Sequence, residues 1–571
     1  MEGRAGGIAR AFAHSKPVIS FDRRRFLQAL AAWGAVSAAQ GRAAVPPRFS
    51  ADPFALGVAS GYPGDGGFVL WTRLAPEPAL PGGGLTEEAI PVVWEVASDE
   101  SMQRIVASGT EHAERPWAHS VHVEVSGLHP GRPYWYRFRA GDAVSPVGRT
   151  RTAPAANALP ERLRYALASC QHYEQGYFSA YRHMLRDDPD LVVFVGDYIY
   201  EQSYGATPVR RHNGAKPDTL DDYRRRYALY KSDPDLQAMH AACPWILTWD
   251  DHEVENDYAG EHSALRVPRE RFLARRAAAY QAYYEHQPLP RSMRPRGPHA
   301  RIHTTLPFGQ LALFHVLDDR QYRSPQPCQR AGRGGGNYLV NCAERLDPRA
   351  TMLGAEQERW LADNLRASRA RWNLIAQQSL VAQLDLSMGE IDTFWTDAWD
   401  GYPAARERLL QAIAERRPAN PVFMSGDAHM FWVSVLPIRF DGSALPAVAS
   451  EICGTSITSR SLVEPWYIGA LLSENPHIRF GHSAHRGYTR IELTPGPDRS
   501  RLPEADNPKE EMKNGDHPER SFSCPVLLPF PQPRPHGAKA IFFLSDPRLA
   551  SSSGHRPVGR SGPGRFGEEH F

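Results

Sequence analysis

The stretch Leu191-Val-Val-Phe-Val-Gly-Asp-Tyr-Ile-Tyr200 decides the fold. Five consecutive apolar residues stopped by a glycine read as a fully buried strand of a parallel sheet. That strand delivers an aspartate and a tyrosine at its carboxyl end. The same arrangement recurs three times. Arg164-Tyr-Ala-Leu-Ala168 runs into Ser169-Cys170-Gln171, and Trp245-Ile-Leu-Thr248 runs into Trp249-Asp250-Asp251-His252-Glu253-Val254-Glu255-Asn256-Asp257. Pro421-Val-Phe-Met424 runs into Ser425-Gly426-Asp427-Ala428-His429. In open α/β sheets, ligands bind beyond the carboxyl ends of the strands. Four clusters spread along the chain are therefore expected to converge on one site.

Between these strands lie helical patterns over 219–242, 268–286, 355–369 and 403–416, with further strands at 310–316 and 373–376. Strands alternating with helices over 157–495 predict an α/β catalytic domain. Residues 44–156 read differently. Phe68-Val-Leu-Trp71, Pro91-Val-Val-Trp-Glu-Val96, Val121-His-Val-Glu-Val125 and Tyr134-Trp-Tyr-Arg-Phe138 are strands set between turn signals, and the last three alternate as half-buried antiparallel strands do. Leu128-His-Pro-Gly-Arg-Pro-Tyr134 resembles the tyrosine corner of fibronectin-type sandwiches. A small fibronectin/Ig-like β-sandwich is expected to precede the catalytic domain.

The ends of the chain have their own character. Arg23-Arg24-x-Phe26-Leu27, then a short apolar run from Ala29 to Ala39, resembles a twin-arginine signal over 1–43. Export by that machinery to the periplasm or beyond is expected, with no transmembrane segment in the mature chain. An exported protein can hold disulfides, and a Cys328–Cys342 bridge would close the Gly/Arg-rich loop between them. Residues 496–571 turn rich in Pro, Arg, Ser and Gly, with one apolar run at Ala540-Ile-Phe-Phe-Leu544, and are expected to be disordered. The formal net charge is only +2 over 571 residues, and the arginines are scattered. No nucleic-acid footprint follows.

The donor set has chemical content. Aspartate, asparagine and histidine are ordinary metal ligands, whereas a phenol and a thiol ionise readily only beside a strongly Lewis-acidic ion. Tyr200 and Cys170 therefore favour iron at one position. Asp251, Asn256 and Asp427 suit a harder second ion such as calcium or manganese. Two such ions clamp a phosphoryl group and lower the pKa of a water between them.

Ser169-Cys170, Gly196-Asp197-x-x-Tyr200, Trp249-Asp250-Asp251-His252-Glu253 with Asn256, and Gly426-Asp427-x-His429 resemble the motifs of the alkaline phosphatase D family. Leu353-Gly-x-x-Gln357-x-x-Trp360-Leu361 and Asp397-Ala-Trp-Asp-Gly-Tyr402 extend the resemblance, which covers about 50–495. It implies a calcineurin-like metallophosphoesterase, an α/β/β/α sandwich of two sheets flanked by helices, with Fe3+ and Ca2+ in the site. By the same resemblance Cys170, Asp197 and Tyr200 would bind iron, with Asp197 bridging. Asp251 and Asn256, or its neighbour Asp257, would sit on the second-metal side. His252 would contact a phosphate oxygen or protonate the leaving alkoxide, and Asp427 and His429 would complete the shell. The family usually adds a strand and a short helical stretch after Arg486-Gly-Tyr488, where this sequence turns unfamiliar.

Other residues carry bland readings beside sharp ones. Asp250, Glu253 and Glu255 read as supporting carboxylates, and His315 as a core histidine. Arg320 is either a phosphate clamp or a structural ion pair. Trp395, Trp399 and Tyr402 either line the cleft or pack, and His482 and His485 are outside candidates for the site. The reading that follows is an exported, monomeric phosphoesterase acting on phosphodiesters and phosphomonoesters through a metal-activated hydroxide. The alternatives are a phospholipase D-like phosphodiesterase acting on lipid headgroups, and a non-catalytic surface-binding protein with a vestigial metal site.

Overall fold

The strand Leu191–Val195, buried along its whole length, pairs in parallel with Leu163–Ala168 on one side and Trp245–Thr248 on the other. These three form the middle of a nine-stranded sheet in the computed structural model. The model describes residues 47–495 except Ala444, with two further strands, Ser521–Phe522 and Ala538–Ser545. A second, seven-stranded sheet has Ala312–Val316, Trp372–Ala376, Pro421–Ser425 and Ala447–Cys453 as parallel neighbours.

Period-two alternation decides how the sheets stack. Leu374, Val422 and Met424 of the second sheet join Leu167, Val193 and Ile246 of the first in one core. The intervening Ile375 and Phe423 face the other way, onto Leu361 and Leu365 of helix Gly354–Ala367 and Leu409, Leu410 and Ile413 of helix Pro403–Arg416. On the far side, Tyr223 and Tyr227 of helix Leu220–Lys231 and Tyr280 and Tyr283 of helix Arg269–His286 pack on the first sheet. The result is the expected α/β/β/α sandwich. Gln378 staples its two sheets, donating to Thr248 Oγ1 at 2.6 Å and to Leu317 O at 3.0 Å.

Three expectations need correction. The helix expected over 219–242 breaks into Leu220–Lys231 and Pro234–Ala242. Pro234 has no N–H to continue the ladder, and Asp233 caps the second helix by accepting from Asp235 N and Leu236 N.

The N-terminal β layers are present, but one of them is not separate from the catalytic segment. Val58–Gly64, Gly67–Arg73 and Ser120–Val125 continue the nine-stranded sheet, joined to it where Gly61 pairs with Trp245. A Cβ on Gly61 would meet Trp245 O at 2.8 Å, so only glycine permits the join. The opposite layer, built on Ala89–Ala97, Ile105–Glu114 and Pro133–Ala140, packs Val92, Val96, Tyr136 and Phe138 onto Phe68, Leu70 and Val123. Tyr134 makes the expected corner: its hydroxyl donates to His129 O at 3.2 Å and accepts from His129 N at 3.0 Å.

The tail is not wholly without structure. Ala538–Ser545, which contains the run Ala540-Ile-Phe-Phe-Leu544, is a strand antiparallel to Arg486–Leu493. A stretch with β-branched and aromatic residues can add to an open sheet edge. The rest of 496–571 and the signal read over 1–43 lie outside the described residues. Among the described residues, no helix is long and apolar enough to cross a membrane.

Candidate metal centre

Three neighbouring parallel strands of the first sheet end at one edge, and a parallel strand of the second sheet ends at the same place. They deliver Cys170, Asp197, Asp250 with Asp251, and Asp427 with His429. The turns that follow are tight. Cys170 (φ 57°), Asp197 (58°), Asp427 (59°) and His429 (56°) all sit in the left-handed region. Non-glycine residues held in such sparsely populated regions cost about 1–3 kcal/mol each and cluster at functional sites. Cys170 N–H donates to Gly196 O and Gln171 N–H to Asp197 O, both at 3.1 Å, which ties two of the turns together.

Around Tyr200 the lone pairs converge. Its hydroxyl lies 2.9 Å from Asp197 Oδ2 and 3.0 Å from His429 Nε2, and accepts from Ser459 Oγ at 2.7 Å. His429 Nδ1 donates to Arg460 O at 3.0 Å, so its Nε2 carries no proton. One phenolic proton cannot serve both Asp197 and His429. Donor atoms of Cys170, Asp197 and His429 all lie within 4.8 Å of one another. The same spacing groups Asp197 with Asp251 and His252, Asp197 with Asp250 and Asp427, and Asp251 with Asp257 and Asp397. Asp197 thus takes part in three of these four clusters, and its buried Oδ1 has no hydrogen-bond partner.

Electrostatics agree with a cation site. Burial and neighbouring acids push the Asp197 and Asp250 carboxyls well above the usual range, and Asp427 up to about 7. Against the same push of burial, Arg320 and His252 hold Asp251 down at about 2. Burial works against a charged His252, yet Asp251, Asp197 and Glu201 raise its pKa well above the ordinary value. Buried acids that suppress one another's ionisation are relieved by a bound cation. Converging lone pairs, an orphaned carboxylate oxygen and a mixed sulfur, oxygen and nitrogen donor set make this a metal-binding arrangement.

Cys170, Asp197, Tyr200, Asp251, His252, Asp427 and His429 lie together at these strand ends. Asn256 is half-buried, its Oδ1 accepting from Tyr204 Oη at 3.0 Å. Asp257 is turned towards the triad with Asp251 and Asp397, and its Oδ2 accepts from Gly336 N–H at 3.1 Å. Glu253 is scaffold: it accepts from the N–H groups of Asp197, Tyr198 and Asp250 at 3.1, 2.6 and 2.9 Å. Arg320 is a buried ion pair, bonded to Asp250 and, at 2.7 Å, to Asp397. Trp399 and Tyr402 pack in the core, whereas Trp395 meets Tyr338 at a tilt, ring centres 4.6 Å apart. His315 is fully buried, 3.3 Å from Asn373 Oδ1. His482 and His485 stack on each other at 5.0 Å. The sequence reading missed Glu201, whose carboxylate binds His252, and Ser459, whose hydroxyl binds Tyr200. Glu201 directly follows a singled-out tyrosine, and that adjacency was its signal. Ser459 stands more than 250 residues from Tyr200 and offered none.

The Cys328–Cys342 disulfide forms as expected. Cys170, Cys243 and Cys453 are free and buried.

Residues 165–502 match the family described as PhoD-like phosphatase, and residues 38–154 match its N-terminal domain. The chain is 46% identical over 495 residues to alkaline phosphatase D of Bacillus subtilis (strain 168), with 83% of each protein covered. It is also similar to the solved structure of PhoD, with a TM-score of 0.75 at 46% identity, over 79% of this chain and 86% of that one.

Proposed function

The chain belongs to the PhoD-like phosphatase family and is a phosphoric ester hydrolase, and from that premise we propose how its centre works. The reading is an iron and calcium centre that hydrolyses phosphodiesters and phosphomonoesters. The observation that carries it is the set of lone pairs from Asp197 and His429 converging on Tyr200 Oη, beside the partnerless Asp197 Oδ1. Cys170, Asp197 and Tyr200 would hold the iron, and Asp251 and Asn256 the calcium, with Asp197 shared and Asp427 and His429 completing the shell. Bound there, the two cations would neutralise phosphoryl oxygens and lower the pKa of the attacking water.

The chain's own side chains do the rest. Asp251 is held ionised and fixed by two N–H donors, His252 N at 2.8 Å and Asp257 N at 2.6 Å. His252 keeps its Nδ1 on Glu201 Oε2, which leaves Nε2 to hand a proton to the departing alkoxide. Similarity to alkaline phosphatase D favours this reading over a lipid-headgroup phosphodiesterase or a vestigial site. We extend the proposal to export by the twin-arginine route, on Arg23-Arg24-x-Phe26-Leu27; the Cys328–Cys342 disulfide fits an oxidising compartment.

Elemental analysis of the purified protein tests the centre: iron and calcium are expected together. Cys170→Ala and Asp197→Ala should abolish hydrolysis of bis(p-nitrophenyl) phosphate. A metal-free, fully active preparation overturns the reading.

A further inference from the structure

On the His429 side of the centre the charge changes sign. Arg460 follows Ser459, and its backbone is pinned against the site: its N–H donates to Gln175 Oε1 at 2.7 Å and its carbonyl accepts from His429 Nδ1 at 3.0 Å. Its side chain is exposed. The guanidinium reaches the loop that carries Glu201 and Tyr204, where Nη2 lies 3.4 Å from Thr207 O. That distance is at the edge of hydrogen bonding. Among the described residues, no carboxylate lies within ion-pair distance of it.

Arg486 stands behind. Its Nη1 donates to Ser483 O at 3.1 Å and His485 O at 2.8 Å. Thr455 Oγ1 links His485 O, at 3.2 Å, to His429 O, at 3.5 Å. Both arginines are thus tied to His429, Arg460 through its own carbonyl and Arg486 through His485 and Thr455. Burial, and next the charge of Arg460, push Arg486 down to about 10, while Cys170 acts in the opposite sense. An exposed guanidinium beside the centre, with a second cation within electrostatic reach, favours an anion next to it.

We propose that Arg460, backed by Arg486, forms an anion subsite that recognises the second negative charge of a phosphomonoester. Resting on the phosphoesterase reading above, it makes Arg460 a specificity-determining residue that sets monoester against diester. A monoester carries close to two charges above pH ~6, and a diester carries one. Only the monoester gains from a second cationic partner at the rim.

The test uses the full-length protein with its metals, p-nitrophenyl phosphate against bis(p-nitrophenyl) phosphate, and calorimetric binding of inorganic phosphate. In Arg460→Ala, monoester kcat/KM is expected to fall about tenfold more than diester kcat/KM, with the difference in KM. Phosphate binding weakens by a similar factor, and Arg460→Lys recovers most of both. Raising the salt concentration weakens monoester binding in the wild type and much less in the alanine variant. Equal losses on both esters, or unchanged phosphate binding, overturn the subsite. Failure of the metal-centre reading shows separately, as wild-type protein without iron or without hydrolysis of either ester.

Discussion

His252 Nδ1 lies 2.7 Å from Oε2 of Glu201, whose side chain has no solvent exposure. The other Glu201 oxygen accepts from Asn256 N–H at 3.1 Å and has Lys216 Nζ at 3.6 Å. The carboxylate is therefore locked, and it fixes the imidazole with Nε2 free. Glu201→Gln should lower kcat by about 10²-fold on esters with poor leaving groups, the lower end of what a positioned acid contributes. With p-nitrophenol as leaving group the loss should be much smaller. A leaving-group series on wild type and variant measures this. An equal loss across the series would remove His252 as the acid.

Arg320 is buried between acids, bonded to Asp250 and Asp397 with Asp251 Oδ2 at 3.8 Å. Arg320→Met keeps the volume and strands carboxylates in the interior. Removing one partner of a buried ion pair costs about 3–5 kcal/mol. Urea unfolding should show that loss as a lower midpoint with an unchanged slope. A change within about 0.5 kcal/mol would mean that the acids are neutral in the fold.

The loop between Cys328 and Cys342 supports the acid triad. Gly335 has φ 83°, and a Cβ there would meet Asp257 Cβ at 2.8 Å; its neighbour Gly336 donates to Asp257 Oδ2. The double variant Cys328→Ser/Cys342→Ser releases this loop. A disulfide closing about 15 residues contributes roughly 3 kcal/mol in the chain-entropy picture, so Tm should fall. Because Asp257 loses its wall, calcium should be retained less well than iron. Metal analysis after dialysis checks the order of loss.

Much of this was legible in the sequence because strand ends and their ligands are local. The run Leu191–Val195 fixed its own burial, and Gly196-Asp197-x-x-Tyr200 followed from it. Helix Pro403–Arg416 was likewise announced by proline at its start and apolar spacing along it. What stayed hidden was long-range. Gly61 meeting Trp245, which fuses the N-terminal layer to the catalytic sheet, leaves no local trace. Nor does Ser459 finding Tyr200, or Arg320 choosing Asp397. Ala540-Ile-Phe-Phe-Leu544 showed strand character, but its polar and proline-rich surroundings outweighed it until an open edge at Arg486–Leu493 was available.

Acid should weaken the fold well above the carboxylate range. Burial pushes His122 down to about 3 and His315 down to about 4, so both stay neutral in the folded protein. Unfolded, they titrate near 6.5. The stability they contribute is fully present above pH 6.5 and is lost progressively as pH falls towards 4 and then 3. The loss at the end of that window is on the order of 3 kcal/mol for His315 and 5 kcal/mol for His122. His122→Gln should flatten this limb of a Tm-against-pH curve. An unchanged limb would show that His122 is already charged in the folded state.

Tyr200 separates the two cation positions most sharply. Its ring is held between His252 and His172, with ring centres at 4.1 and 4.4 Å, while its oxygen meets Asp197, His429 and Ser459. Tyr200→Phe keeps the packing and deletes the oxygen alone, so the fold should survive with a loss of about 1–3 kcal/mol from the groups left unpaired. A phenolate on ferric iron absorbs visible light, and a carboxylate does not. Wild-type protein should therefore show a phenolate band that Tyr200→Phe loses, leaving at most a different band from the Cys170 thiolate, with iron content reduced and calcium close to normal. Asp251→Asn should do the reverse, losing calcium and keeping the colour. If Tyr200→Phe retains the wild-type band, the phenol is not the iron ligand, and Cys170 alone must account for any colour the protein shows.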